Sequence, residues 1–169
     1  ERGDDFGLNN LGFLYEIGQG VPEDIELAAQ YYQQAADKGL PLAQHNLAIL
    51  YESGRGVPMD ENRAFELYLA AAEGGEIRAQ INLALMYLDG RGTAQDYAQA
   101  VYWTQLAADE GNMIAQNNMG YFHENGFGVS ANLDTAYEFY TASAAQGYEL
   151  AIDAVARLEA ERGSKSKAK

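Results

Sequence analysis

Residues 40–75 read LPLAQHNLAILYESGRGVPMDENRAFELYLAAAEGG, and this stretch decides the fold. Ala43, Leu47, Ala48, Leu50 and Tyr51 fall at three- and four-residue steps, which is the apolar face of a helix. Pro41 suits the first turn of that helix, where its missing N–H would have no partner anyway. Gly54 predicts the end, because a residue without Cβ enters the left-handed conformation that caps helix C-termini. Gly56 allows the tight reversal that follows, and Val57 is placed to fill the seam between helices. Asp60 is a good N-cap for a second helix over about Glu61 to Glu73, since its carboxylate accepts free backbone N–H groups. Ala64, Leu67, Tyr68, Ala71 and Ala72 form the inner face of this helix, and Gly75 ends it.

The pattern returns four times at a step of 36 residues, without an insertion or deletion. Tyr15, Tyr51 and Tyr87 are followed in register by His123, and Asp24, Asp60 and Asp96 by Asn132. Gly18, Gly54, Gly90 and Gly126 keep the same step, as do Gly20, Gly56, Gly92 and Gly128. So strict a period marks a tandem array, in which each unit buries its apolar face against its neighbours. The predicted fold class is all-α: an α-solenoid of four helix hairpins, over about residues 3–38, 39–74, 75–110 and 111–147. Gly3 is in register with Gly39, Gly75, Gly111 and Gly147, so the chain reads as entering from an earlier repeat, with a leader or upstream repeats absent. Residues 148–162 keep the register at Ala151 and Val155 but turn a polar face outward, as a capping helix should. Residues 163–169 are expected to be a disordered tail.

The net charge is −14, and it is uneven: the last 13 residues carry five basic groups against two acidic ones, while the rest is strongly acidic. An acidic body repels phosphate backbones, which excludes nucleic acid and anionic membrane surfaces as partners and favours a basic protein surface. With no cysteine, neither disulfides nor thiolate metal sites contribute. No apolar run approaches the ~20 residues needed to span a bilayer.

Leu-Gly-x-x-Tyr at 11–15, the Gly-x-Gly-Val turns and the Asp-x-x-x-Ala…Ala-Ala…Gly helices carry a family resemblance. The chain resembles the Sel1-like repeats, relatives of the tetratricopeptide repeats, from residue 3 to about 156. Departures are local: Gly7, Leu67, Thr93, Thr104 and His123. The resemblance implies a right-handed superhelix that serves as a scaffold or adaptor and binds a partner protein in its concave groove. It also implies an alternative, a dedicated inhibitor of the immunity type that neutralises one cognate enzyme or toxin. The localisation implied is bacterial, in the periplasm or secreted.

In related arrays the first helix of each unit lines the concave face. Four rows of residues follow from helical geometry. The first is Phe6, Leu42, Arg78 and Ile114; the second is Asn9, His45, Ile81 and Asn117. The third is Phe13, Ile49, Leu85 and Tyr121; the fourth is Glu16, Glu52, Leu88 and Glu124. Together they predict an apolar floor with an acidic rim, suited to a partner with apolar anchors and Lys or Arg. His45 is expected to face this groove, with Glu52 favouring its charged form. The ladder Asn10, Asn46, Asn82, Asn118 is expected to bond backbone between repeats.

Catalytic chemistry finds little support in these residues. The two histidines lie 78 residues apart, and His123 stands where the other repeats place a packing tyrosine. The Gly-x-Gly turns follow helices rather than strands and lack the Lys-Ser/Thr of a phosphate loop. No cluster has the spacing of a metal site or an EF-hand loop. The sequence therefore predicts a binding protein without catalysis, cofactor or metal, and leaves its oligomeric state open.

Overall fold

The computed structural model describes residues 2–167, and side chains from 4 to 163. Among these it has nine α-helices and no strand. The chain divides into two compact units, Glu1–Gln95 and Asp96–Lys169. The first unit holds α1 (Arg2–Ile17), α2 (Ile25–Asp37), α3 (Pro41–Ser53), α4 (Glu61–Glu73) and α5 (Ile77–Asp89). The second holds α6 (Tyr97–Asp109), α7 (Met113–Asn125), α8 (Leu133–Ala144) and α9 (Glu149–Lys167). The alternation of inner and outer helices is the one read from the sequence. α9 differs in length, continuing as helix past Arg162 to Lys167. The stretch expected as a tail is therefore helical to that point, because Gly163 alone does not break a helix rich in Lys and Glu. Ala168 and Lys169 lie outside the described residues.

The hairpins α1/α2, α3/α4 and α7/α8 are locked by the same short-range bonds. Asp24 accepts the Leu27 N–H at 2.9 Å, Asp60 that of Arg63 at 3.0 Å, and Asn132 that of Thr135 at 3.1 Å. The cap residue's own N–H returns to the preceding helix: Asp24 to the Tyr15 carbonyl, Asp60 to Tyr51 and Asn132 to His123, at 2.8–3.0 Å. The turn thus satisfies orphan groups of both helices it joins. The core is made of alanines with a few large groups between them. Ala28, Ala35, Ala43, Ala64 and Ala71 are fully buried with Tyr32, Tyr68, Leu47 and Leu50 in the first unit. In the second, Ala136, Tyr140, Ala151 and Leu158 close the end of the unit.

The second glycine of each turn has two separate reasons to be glycine. Gly56, Gly92 and Gly128 all have φ between +65 and +69. A Cβ on Gly56 would also lie 2.5 Å from the Ile25 carbonyl oxygen, on Gly92 2.2 Å from that of Glu61, and on Gly128 2.4 Å from that of Tyr97. The turn of one hairpin therefore rests on the first residue of the preceding outer helix. At Gly20 a Cβ would meet nothing within 4 Å, so only the φ of +78 requires glycine there. Gly92→Ala should therefore destabilise by about 2–4 kcal/mol and Gly20→Ala by about 1 kcal/mol, read from urea midpoints. Equal losses at both positions would mean that the contact with the preceding hairpin contributes nothing.

Candidate functional site

The inner helices α1, α3 and α5 of the first unit are linked side by side through side chains. Asn46 on α3 donates to the Asn9 side-chain oxygen on α1 at 3.0 Å. The His45 Nδ1 lies 3.4 Å from the Asn46 side-chain oxygen, and its Nε2 lies 3.4 Å from Asn82 Nδ2 on α5. Read from donor to acceptor, Asn82 bonds His45, His45 bonds Asn46, and Asn46 bonds Asn9. Only the neutral Nδ1–H imidazole fits that order, since a charged ring would set Nε2–H against the Asn82 amide donor. Asn46 and Asn82 of the asparagine ladder thus bond side chains of the neighbouring repeat, rather than the backbone expected.

This changes the second row of candidate contacts. Asn9 is 3% exposed, His45 2% and Ile81 7%, so none of the three is open to a partner. Asn117 is half-buried. The expectation of a charged His45 is also overturned. Burial holds its pKa below the ordinary 6.5, against the upward pull of Asn46, Glu76 and Glu52, and Arg78 pushes the same way as burial. The Tyr68 ring of α4 covers it at 5.8 Å.

The fourth row is not a free acidic rim either. Tyr32 donates its hydroxyl to Glu16 at 2.8 Å, Tyr68 to Glu52 at 2.7 Å and Tyr140 to Glu124 at 2.9 Å. An arginine then engages each carboxylate from the far side: Arg55 on Glu16 at 3.3 Å and Arg91 on Glu52 at 2.5 Å. On Glu124 the arginine is Arg157, whose two terminal nitrogens meet the two carboxylate oxygens at 2.8 and 2.9 Å. Burial and the neighbouring carboxylate push Tyr32, Tyr68 and Tyr140 far above the ordinary 10.0, so each stays a donor. Each glutamate, half-buried and doubly bonded, clamps an inner helix to its outer helix and to a following arginine. The third repeat carries Leu88, Thr104 and Phe127 at the same register positions, so carboxylate, phenol and guanidinium are replaced together.

The first and third rows are mixed, part exposed and part half-buried. Phe6 is 54% and Phe13 49% exposed, and Leu42, Ile49 and Leu85 are half-buried beside an exposed Arg78. In the second unit Tyr121 is exposed, with its ring 5.6 Å from Phe127, and Ile114 is exposed as well. Ile17, also exposed, extends the stripe of Phe6 and Phe13 along α1 and was not read from the sequence. The other repeats place Ser53, Asp89 and Asn125 there, so no apolar row signals it. The arginines were missed too, although Arg55 and Arg91 keep the 36-residue step. Arg157 is out of phase and comes from a different element. Among the described residues no group of His, Asp or Glu could hold a metal ion, and no helix is long and apolar enough to cross a membrane.

Comparison with protein families matches the Sel1 repeat at residues 6–40, 41–76, 77–112 and 114–148. The chain belongs to the Sel1 repeat family. Among solved structures it is similar to c5321, a protective antigen present in uropathogenic Escherichia coli strains and displaying an SLR fold. That likeness has 36% identity and a TM-score of 0.89, over 93% of this chain and 34% of that one. It is also similar to a Sel1 repeat protein from Oxalobacter formigenes, with 32% identity and a TM-score of 0.87 over 91% of this chain and 63% of that one. The chain thus spans about a third of the first relative and under two thirds of the second. Immunity protein Pa5087 from Pseudomonas aeruginosa, at 24% identity and a TM-score of 0.59 over 89% of this chain and 55% of that one, shares the fold alone. A search among curated proteins gave no match. Sel1 repeats are a protein-interaction fold.

Two pH effects follow from the buried polar groups. His45 has a depressed value in the folded state, so its contribution to stability is full above the unfolded value of 6.5 and falls as pH drops below it. His45→Asn, which copies Asn9, should flatten the fall in urea midpoint between about pH 7 and pH 5. At Glu124, burial pushes the carboxyl up but Arg157 and the Tyr140 hydroxyl outweigh it, leaving the value below the ordinary 4.5. Its stabilisation is present above that value and lost as pH falls through the folded one. The stability gap between the native chain and Arg157→Gln should therefore narrow as pH falls below about 4.5. A gap constant with pH would show that the pair is not coupled to folding.

Proposed function

We propose that the chain is an interaction scaffold that holds a segment of a partner protein on the exposed apolar positions of its inner helices. In the first unit these are Phe6, Phe13 and Ile17 on α1, flanked by the half-buried Leu42 and Ile49 on α3 and Leu85 on α5. The supporting observation is the exposure of two phenylalanine rings on one stripe of a helix that buries Asn9 and Gly12 against its neighbours. Large aromatic groups left in water at such spacing are suited to act as anchors, with each ring able to contribute about 2 kcal/mol once buried. The partner chemistry shifts with the geometry of the glutamates. Because Arg55 and Arg91 already engage Glu16 and Glu52, apolar anchoring contributes more than an acidic rim.

The test is capture from native cell extract on immobilised chain, with Phe6→Ser/Phe13→Ser as the comparison. The substituted rings are exposed, so the melting temperature should stay within a few degrees while the captured protein is lost. Retention of the same protein by the double variant would sink the proposal. Raised salt should leave capture by the native chain largely intact, since paired carboxylates are poor rim charges. Should the captured protein bind one-to-one and lose an enzymatic activity, the inhibitor reading replaces the scaffold reading.

A further inference from the structure

The four repeats act as internal controls for one another, and one of their junctions differs. In three repeats the ring at the end of the inner helix lies against a second ring. Tyr15 stacks on Tyr31 at 5.6 Å, Tyr87 meets Phe65 edge-on at 5.3 Å, and His123 stacks on Phe139 at 5.7 Å. Tyr51 has no such partner among the described residues. The two register positions that supply one elsewhere are Leu67, matching Tyr31 and Phe139, and Ala29, matching Phe65. Beside Tyr51 lies an open cavity of about 480 Å³, walled by Tyr51, Val57 and Gly56 with Glu26, Gln30, Gln33 and Gln34, over the buried Leu47 and Ala29. Its volume falls in the range of built ligand pockets, about 300–1,000 Å³.

The cavity lies away from the proposed apolar stripe. Leu47 and Tyr51 flank Ile49 by two residues each, roughly 200° around α3. Its lining has a definite chemistry. Tyr51 presents a ring, Val57 adds apolar surface over the buried Leu47, and the polar groups are amides and one carboxylate with no cation among them. Glu26, Gln30 and Gln34 make no side-chain hydrogen bond among the described residues, while Gln33 is held by Asp37 at 2.6 Å. The nearby basic side chains are engaged elsewhere, Arg55 by Glu16 and Lys38 by Asp4 and Asp5.

We infer that this cavity seats an arginine side chain presented by a protein partner. A guanidinium stacks on an aromatic face, carries its stem along apolar surface, and offers five donors in a fixed fork to amide and carboxylate oxygens. Each of those needs has a matching group here: the Tyr51 ring, the half-buried Val57, and the oxygens of Glu26 and the glutamines. A lysine would use the charge but leave most amide oxygens unmatched, and an apolar side chain would leave all of them so. The site rests on residues separate from the stripe of Phe6 and Phe13, so either can fail without the other.

The test uses the full chain, isotope-labelled, titrated with the uncharged-end peptide acetyl-Gly-Gly-Arg-Gly-Gly-amide and with its leucine analogue. The arginine peptide should give saturable shifts at the Gly56 and Val57 amides, and the leucine peptide should give none. Ala29→Phe, which copies Phe65 into this junction, should abolish the shifts; Ala29 is buried, so the melting temperature is measured alongside and a fall in it leaves Glu26→Gln as the deciding variant. Glu26→Gln, on an exposed residue, should weaken binding about two- to fivefold. Absence of saturable shifts at Gly56 and Val57, an equal response to the leucine peptide, shifts that survive Ala29→Phe, or unchanged affinity in Glu26→Gln would each overturn the assignment.

Discussion

The contact on which each unit depends is the seat of a glycine turn on the carbonyl that opens the preceding outer helix. At Gly56, Gly92 and Gly128 the turn backbone lies so close to Ile25, Glu61 and Tyr97 that even one methyl group would not fit. A helix hairpin of this size buries too little apolar surface to stand alone. Its core, mostly alanine, lets the helices approach, and the glycine turn sets the height at which the next hairpin docks. The 36-residue step is the consequence, since an added residue would lift the turn off its seat.

On that frame the polar side chains bind neighbouring repeats together. A half-buried carboxylate gains from being hydrogen-bonded and paired, and Glu16, Glu52 and Glu124 are both. Removing one member alone would leave the others short of a partner, and in the third repeat the three residue types change together, to Leu88, Thr104 and Phe127. Arg157 makes the same point from the other direction. It reaches Glu124 from α9 rather than from a turn, so the repeat preserves the ion pair while changing the backbone that delivers it. The His45 chain obeys a similar rule, with one tautomer satisfying three asparagines across three helices.

The surface left for partners is what these clamps do not use. Glutamates that count toward a net charge of −14 are less available than the charge suggests, because several are engaged by arginine. The exposed apolar stripe of α1 and the open junction at Tyr51 are both places where the repeat pattern lacks a covering side chain.

Helix type, helix ends and the repeat step were legible in the residues because each is set locally. Pro41 starts a helix, Gly54 ends one, Asp60 caps one, and a strict period repeats the outcome. Which face of α1 or α3 meets solvent was not, since residues such as Asn9, His45 and Phe13 lie within a single helical stripe and differ only in what the next hairpin covers. Polarity misled here: His45 and Asn9 are buried because each finds its partner in a neighbouring helix, whereas Phe13, with no such cover, is exposed. The sequence by itself determined the hairpins and their spacing, through backbone preferences that act within a few residues. Tertiary structure alone decided which carboxylates are clamped and where a cavity remains, because those depend on side chains 16 to 39 positions apart meeting across the repeat junctions.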